Sequence, residues 1–348
     1  MTMFWCTLHK TKRHIVMAAF VGMCLSSSAQ SPTVVSMNKQ QSFAKTVPPG
    51  DYSGLTWLGG NEYAVVCNKT DDAFLRFHID IETATGKIKN VEYVGRQPLT
   101  VKRRDPEDIV FVRKDSTFFI CCESDNQVLE YNSLGIATGR KLHVPEVFKK
   151  AGRNSGLEAL AYQPETGRFW ITSESTIVGD GEQATAMNGV ANHLRIQAFG
   201  PDLMPQGQYL YVMDKAIAEK PAFSFAMGVS AMTALPDGRL LVLERELHVP
   251  KGKLGAYTNC KIYCVNTDEA IPVDVEKPLS QAVPLRKSLL CEWRTTMTLL
   301  NRSFANYEGM CLGPTLDDGS MVLVLLSDSE HQYAGVMKDW FRTIVIKP

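Results

Sequence analysis

Residues 158–174 read EALAYQPETGRFWITSE. A short apolar run from Glu158 to Tyr162 meets a turn at Glu165-Thr166-Gly167, and a β-branched and aromatic run returns to Glu174. Two strand-forming runs around a Gly-containing turn read as a β-hairpin. The order recurs four times. Ser53-Gly54-Leu55-Thr56-Trp57 precedes EYAVVCN, and Glu107-Asp108-Ile109-Val110-Phe111 precedes FFICCE ending at Glu123. Ser230-Ala231-Met232-Thr233-Ala234 precedes RLLVLE ending at Glu244, and Glu308-Gly309-Met310-Cys311-Leu312 precedes SMVLVLLSD ending at Asp328.

Further strand-like runs follow these units, at 74–81 and 88–94 after the first and at 193–199 and 208–213 after the third. Four strands per unit, repeated, predict an all-β fold: a β-propeller of four-stranded blades. Five blades are recognisable. A sixth is an alternative, its strands drawn from residues 266–301. Units start at 53, 107, 158, 230 and 308, and the wider intervals leave room for insertions at 176–192 and 248–259. One strand, 341–346, follows the last hairpin, so the ring is expected to close with an N-terminal strand within 33–44. No helical period persists long enough for an α/β sheet.

The chain has 348 residues, 45% hydrophobic and 21% charged, with 37 basic and 37 acidic side chains. That is ordinary globular usage, and a chain without basic excess lacks the positive field that holds a nucleic-acid backbone. Residues 1–29 read as a signal peptide, followed by one domain over 30–348. A basic stretch at Lys10-Thr11-Lys12-Arg13-His14 precedes an apolar run over 15–25, and Ser26-Ser27-Ser28-Ala29 offers a cleavage point. An uncleaved anchor is the other reading, although the run is short for a span. The expectation is an exported protein, periplasmic or extracellular, with no transmembrane segment after cleavage and mild net acidity. Seven cysteines follow the signal. Their positions inside apolar runs suggest mostly free thiols, with a Cys260–Cys291 or Cys264–Cys291 bridge left open. No CxxC pair points to zinc.

In a hairpin, the start of one strand and the end of the next lie together. Glu107, Glu123, Glu158, Glu174, Glu244, Glu308 and Asp328 hold such positions. They are therefore expected at one mouth of the central channel. Carboxylates crowded in a cleft need protons or a cation, and oxygen donors suit a hard cation such as Ca²⁺. Taken singly, each acid could as well cap its own blade. Arg104, Arg153 and Arg245 stand beside them as candidates for bidentate anion binding or for salt bridges. His248, near Glu244, is the histidine placed closest to this mouth. There is no GxSxG elbow, HExxH helix or GxxxxGK loop.

RDPEDIVF, RNSGLEALAY, GVSAMTALPDGRLLVLER and NYEGMCLGPTLDDGSMVLVLLSD, in this order, resemble the phytase-like family with esterase-like activity. The resemblance runs from about Asp51 to the C-terminus. It implies an exported propeller and a phosphoester hydrolase, with Glu107, Arg153, Asn154, Glu158, Glu244, Arg245, Glu308 and Asp328 at the family's characteristic positions. Ser53 and Ser230 depart from an acid at the strand start. On that reading Ca²⁺ activates a water, and Glu158 or Glu308 takes its proton. Arg153 or Arg245 offsets charge on the substrate, with Arg104 and Asn154 also binding it. The substrate is a small phosphate ester or related ester. Two alternatives share the sequence features: a non-catalytic ligand- or protein-binding propeller of the cell envelope, and a lactonase-like ester hydrolase.

Overall fold

The computed structural model describes residues 31–347, apart from 71, 103–104, 153–155, 275–276 and 333–336. The expected signal peptide lies outside the described residues, as do Arg104, Arg153 and Asn154.

Among the described residues, twenty strands form five four-stranded antiparallel sheets. Blade one is β2 (Tyr52–Gly59), β3 (Glu62–Cys67), β4 (Ala73–Ile81) and β5 (Ile88–Pro98). Blade two is β6 (Pro106–Val112), β7 (Thr117–Cys122), β8 (Gln127–Asn132) and β9 (Ala137–Lys141). Blade three is β10 (Leu157–Gln163), β11 (Arg168–Ser173), β12 (Ala191–Phe199) and β13 (Pro205–Lys215). Blade four is β14 (Ser224–Ala234), β15 (Leu240–Val249), β16 (Tyr257–Val265) and β17 (Lys287–Thr296). Blade five is β18 (Asn306–Thr315), β19 (Met321–Asp328), β20 (Phe341–Lys347) and β1 (Thr33–Met37). The inner strands β2, β6, β10, β14 and β18 neighbour one another around a closed ring.

The inner strands of each blade are buried on both faces, which is why they read as nearly unbroken apolar runs, whereas outer strands such as β9 and β17 are much more exposed. One core fills each of the five gaps between neighbouring blades. Cys121 packs into the gap between blades two and three and Cys122 into the gap between blades one and two, so adjacent residues serve opposite faces. The seven cysteines among the described residues are all free thiols, so neither the Cys260–Cys291 nor the Cys264–Cys291 bridge forms. Close blade approach requires glycine at Gly54, where a Cβ would come within 2.4 Å of the Asp108 Cα, and at Gly309, where it would meet the Ser53 carbonyl at 2.4 Å.

The ring closes by β1 pairing with β20, from Thr33 opposite Lys347 to Met37 opposite Ile344. This ties the first described strand to the last and leaves β1 as the outer strand of blade five. Five blades, not six, complete it. Residues 266–301 supply β17 and a 3₁₀ turn at Leu279–Gln281 rather than another sheet. The interval at 248–259 is also partly strand: β15 runs to Val249 and β16 resumes at Tyr257, so the extra length extends a hairpin. The long connection after β11 is tied down by Asn192, whose Oδ1 accepts from the Ala184 amide at 2.8 Å, and by a buried Arg195–Asp180 ion pair at 2.5 Å.

Candidate active site at the channel mouth

All five inner hairpins slip register near the same point. The slips fall between Tyr52 and Leu55, Pro106 and Asp108, Leu157 and Ala159, Val229 and Ala231, and Tyr307 and Gly309. An extra residue in one strand re-aims a side chain. The residues so placed include Ser53, Glu107, Glu158, Ser230 and Glu308, at equivalent positions in the five blades. All five are buried. A second tier begins one residue past the hairpin pair, at Asn68, Glu123, Glu174, Arg245 and Asp328.

Blade four breaks the expected set. Arg245, not Glu244, holds the second-tier position, because Val229 pairs with Glu244 as Leu157 pairs with Ser173. Strand alternation turns Glu244 to the other face. There it accepts from Tyr211 Oη at 2.7 Å, Lys287 Nζ at 2.7 Å and the Asp214 amide at 3.2 Å. Glu244 is thus a structural acid between blades three and four, and the structure does not bring it into the mouth cluster.

Arg245 is 4% exposed. Its Nη2 donates to Glu174 Oε1, and its Nη1 donates to Glu308 Oε1 and, at 2.9 Å, to Asn306 Oδ1. Asn306 Nδ2 also donates to Glu308 Oε1, at 2.7 Å. One oxygen of Glu308 is therefore fixed twice. Its Oε2 has no protein partner among the described residues. Burial opposes charge on Arg245, but Glu308, Glu174 and Glu158 outweigh it and hold the guanidinium protonated. Arg245 Nε, also buried, has no hydrogen-bond partner among the described residues.

Burial, then repulsion from Glu308, Glu123 and Glu174, pushes the Glu107 carboxyl well above its ordinary range. Burial, then Glu107, Glu174 and Glu308, does the same to Glu158. Glu308 is raised to about 7, chiefly by burial, with Arg245 opposing. Asp328 is pushed up to about 10 by burial and by Glu308 and Glu330. Burial also raises Glu123, opposed by the Gly156 amide that it accepts at 3.1 Å. Glu123 thus caps the next blade, the role each acid could have had alone.

Asp51 and Glu330 were not among the expected residues. One carboxylate oxygen from each of Asp51, Asp328 and Glu330 lies within 4.8 Å of the others. Asp51 Oδ2 also bonds His331 Nδ1 at 2.9 Å, and Asp328 Oδ1 accepts from the Glu330 amide at 2.8 Å. Glu330, His331 and Gln332 all carry positive φ, an unfavourable conformation for side-chain-bearing residues. Extending the repeat two residues upstream reveals Asp51: Asp51-Tyr52-Ser53 aligns with Asp105-Pro106-Glu107 and Asn306-Tyr307-Glu308. His248 joins neither tier. It bonds the Lys220 carbonyl at 3.0 Å and stacks on Tyr257.

The sequence model of a phytase-like family, described as esterase-like activity of phytase, matches residues 47–331. The chain belongs to this family. No curated protein matches the phytase-like chain. Among solved structures it is similar to a luciferin-regenerating enzyme, at 12% identity and TM-score 0.41, covering 88% of this chain and 94% of that one. It is also similar to a streptogramin B lyase, at 12% identity and TM-score 0.36, covering 89% and 98%. The hydrazine synthase of Kuenenia stuttgartiensis matches at 9% identity and TM-score 0.38, covering 84% and 80%. Likeness of this degree says nothing about activity. No helix among the described residues is long and apolar enough to cross a membrane.

Proposed function

We propose that this phytase-like propeller is an exported, metal-dependent hydrolase of small esters, phosphate esters first among them, working at the acid-lined mouth. The observation that carries the reading is an imbalance of charge. Buried Glu107, Glu158, Glu308 and Asp328 gather with the partly buried Glu174, with Asp51 and Glu330 beside Asp328, while Arg245 pairs with two of them. Buried like charges favour proton uptake or a cation. The donors are all carboxylate oxygens, which suit Ca²⁺. Asp51, Asp328 and Glu330 would hold it, with Glu107 and Glu158 on the same mouth. Bound there, the cation would supply positive charge toward an ester oxygen and acidify a coordinated water.

Glu308 is suited to accept a proton. Its Oε1 is held by Arg245 and Asn306, its Oε2 has no such anchor, and a carboxyl raised to about 7 is matched to neutral conditions. Glu158 stands second for this role. Arg245 serves by positioning Glu308 and Glu174, since both its terminal nitrogens are engaged.

The test is hydrolysis of phosphomonoesters, phosphodiesters, carboxylesters and lactones by purified protein, with Ca²⁺ and with chelator. Loss of turnover in chelator and in Glu308→Gln is expected. Activity indifferent to both overturns the mechanism. Absence of turnover with Ca²⁺ retained after dialysis would instead favour a non-catalytic binding propeller.

A further inference from the structure

A cleft of about 390 Å³ opens directly from the acid mouth, and its two ends differ in chemistry. Arg245, Asn306, Glu308 and Glu330 line one end. The other walls are mainly apolar, with Phe223, Leu247, Val249, Met297, Phe304 and Met337, and Lys253 and Ser224 add polar atoms among them. The contrast is written into one strand. Arg245, Leu247 and Val249 alternate along β15, so they share a face and lead from guanidinium to apolar wall. Leu247 and Val249 pair with Ala226 and Ser224 on β14, small residues that line the cleft, whereas Gly228 opposite Arg245 is covered by Glu174, whose carbonyl a Cβ there would meet at 2.4 Å. Met297, Phe304 and Met337 form a satellite core with Ala256, packed against by Leu247 and Val249, so the apolar wall is one mutually packed cluster. Phe223 stands at the rim, 72% exposed although aromatic.

Extending the hydrolase reading, on which it rests, we propose that the substrate carries an apolar alkyl, acyl or aryl group, which lies in this cleft while its ester reaches Glu308. The cleft falls within the roughly 300–1,000 Å³ of small-molecule sites. Its continuity with the mouth lets one molecule fill both.

The experiment is calorimetric binding of non-hydrolysable phosphonates (methyl, butyl, hexyl, octyl and phenyl) to the signal-free chain in Ca²⁺. Affinity is expected to rise by up to about fourfold per buried methylene until the cleft is full. Comparison of phenyl with hexyl separates aryl from alkyl preference. Ala226→Trp, which projects into the cleft, is expected to flatten the series and leave methylphosphonate unchanged. Phe223→Ser, at an exposed site that folding does not need, is expected to weaken octyl binding several-fold. Affinity independent of chain length, a slope that both variants preserve, or no binding at any length overturns the proposal. A rising series without hydrolysis of any ester leaves the apolar site standing and removes only the catalytic reading.

Discussion

Arg245 occupies in blade four the register that Glu174 occupies in blade three, and the two equivalent side chains are joined by an ion pair. A single exchange of acid for base within a repeat thus supplies the charge that steadies its neighbours. Replacing it tests this. Arg245→Met removes both ion pairs and leaves Glu174 and Glu308 facing other buried acids. Breaking a buried pair in this way costs about 3–5 kcal/mol. Denaturant unfolding at neutral pH should show that loss, and added Ca²⁺ should recover part of it. A variant as stable as the parent would remove Arg245 as the organiser of the mouth.

Stability should also depend on pH in a defined direction. The Glu308 carboxyl is raised to about 7 and that of Asp328 to about 10, above unfolded values near 4.3 and 3.9. The folded state therefore holds protons that the unfolded chain has released. Their contribution is complete below about pH 4, falls as pH rises through 7, and goes on falling toward 10. In chelator, the melting temperature should decline between pH 5 and 9. With Ca²⁺ the decline should shrink, because the cation replaces the protons. A chelated protein whose melting temperature climbs over this range contradicts the assignment.

Adjacent acids in one motif should behave differently. Glu107 sits at the bulge, whereas the carboxylate of Asp108 accepts the Ile109 and Leu160 amides, each at 2.8 Å, clasping blades two and three. Asp108→Ala leaves a buried amide of the next blade unpaired, at a cost of about 1–3 kcal/mol. Calcium affinity, measured by titration at a temperature where the variant is folded, should stay within a factor of two. Glu107→Gln should reverse this, weakening calcium binding several-fold with little loss of stability.

The blades are legible in the sequence because their two inner strands are buried on both faces, so the runs from Tyr63 to Val66 and from Leu323 to Leu326 are apolar without interruption. Closure is legible because the strand-forming Thr33-Val34-Val35 lies upstream of the first hairpin and belongs to no repeated unit. The glutamates at 107, 158 and 308 stand out because the bulge recurs in phase with the hairpin. The exchange of Glu244 for Arg245 does not. Both lie at the end of one apolar run, and a single residue of register decides which faces the mouth. Asp51 and Glu330 are hidden because they flank the repeated strands, where loop geometry and not strand period fixes side-chain position. The cleft beside Arg245 depends on Phe304 and Met337, which belong to connections outside the hairpin grammar.

That register decision yields the last prediction. If Glu244 lies between blades three and four, Glu244→Gln weakens the contacts with Lys287 and Tyr211 while leaving the mouth intact. Lys287 keeps its second carboxylate, Asp214, at 2.8 Å, so it is not left unpaired. The expected loss of stability is therefore modest, about 1–2 kcal/mol, near the lower end for a hydrogen bond to a charged group. Calcium affinity and ester hydrolysis should match the parent, whereas Glu308→Gln should lose hydrolysis and keep its fold. Side-by-side unfolding, calcium titration and turnover of the two variants would check this. Equal loss of calcium binding in both would return Glu244 to the mouth and overturn the one-residue offset between blade four and its neighbours.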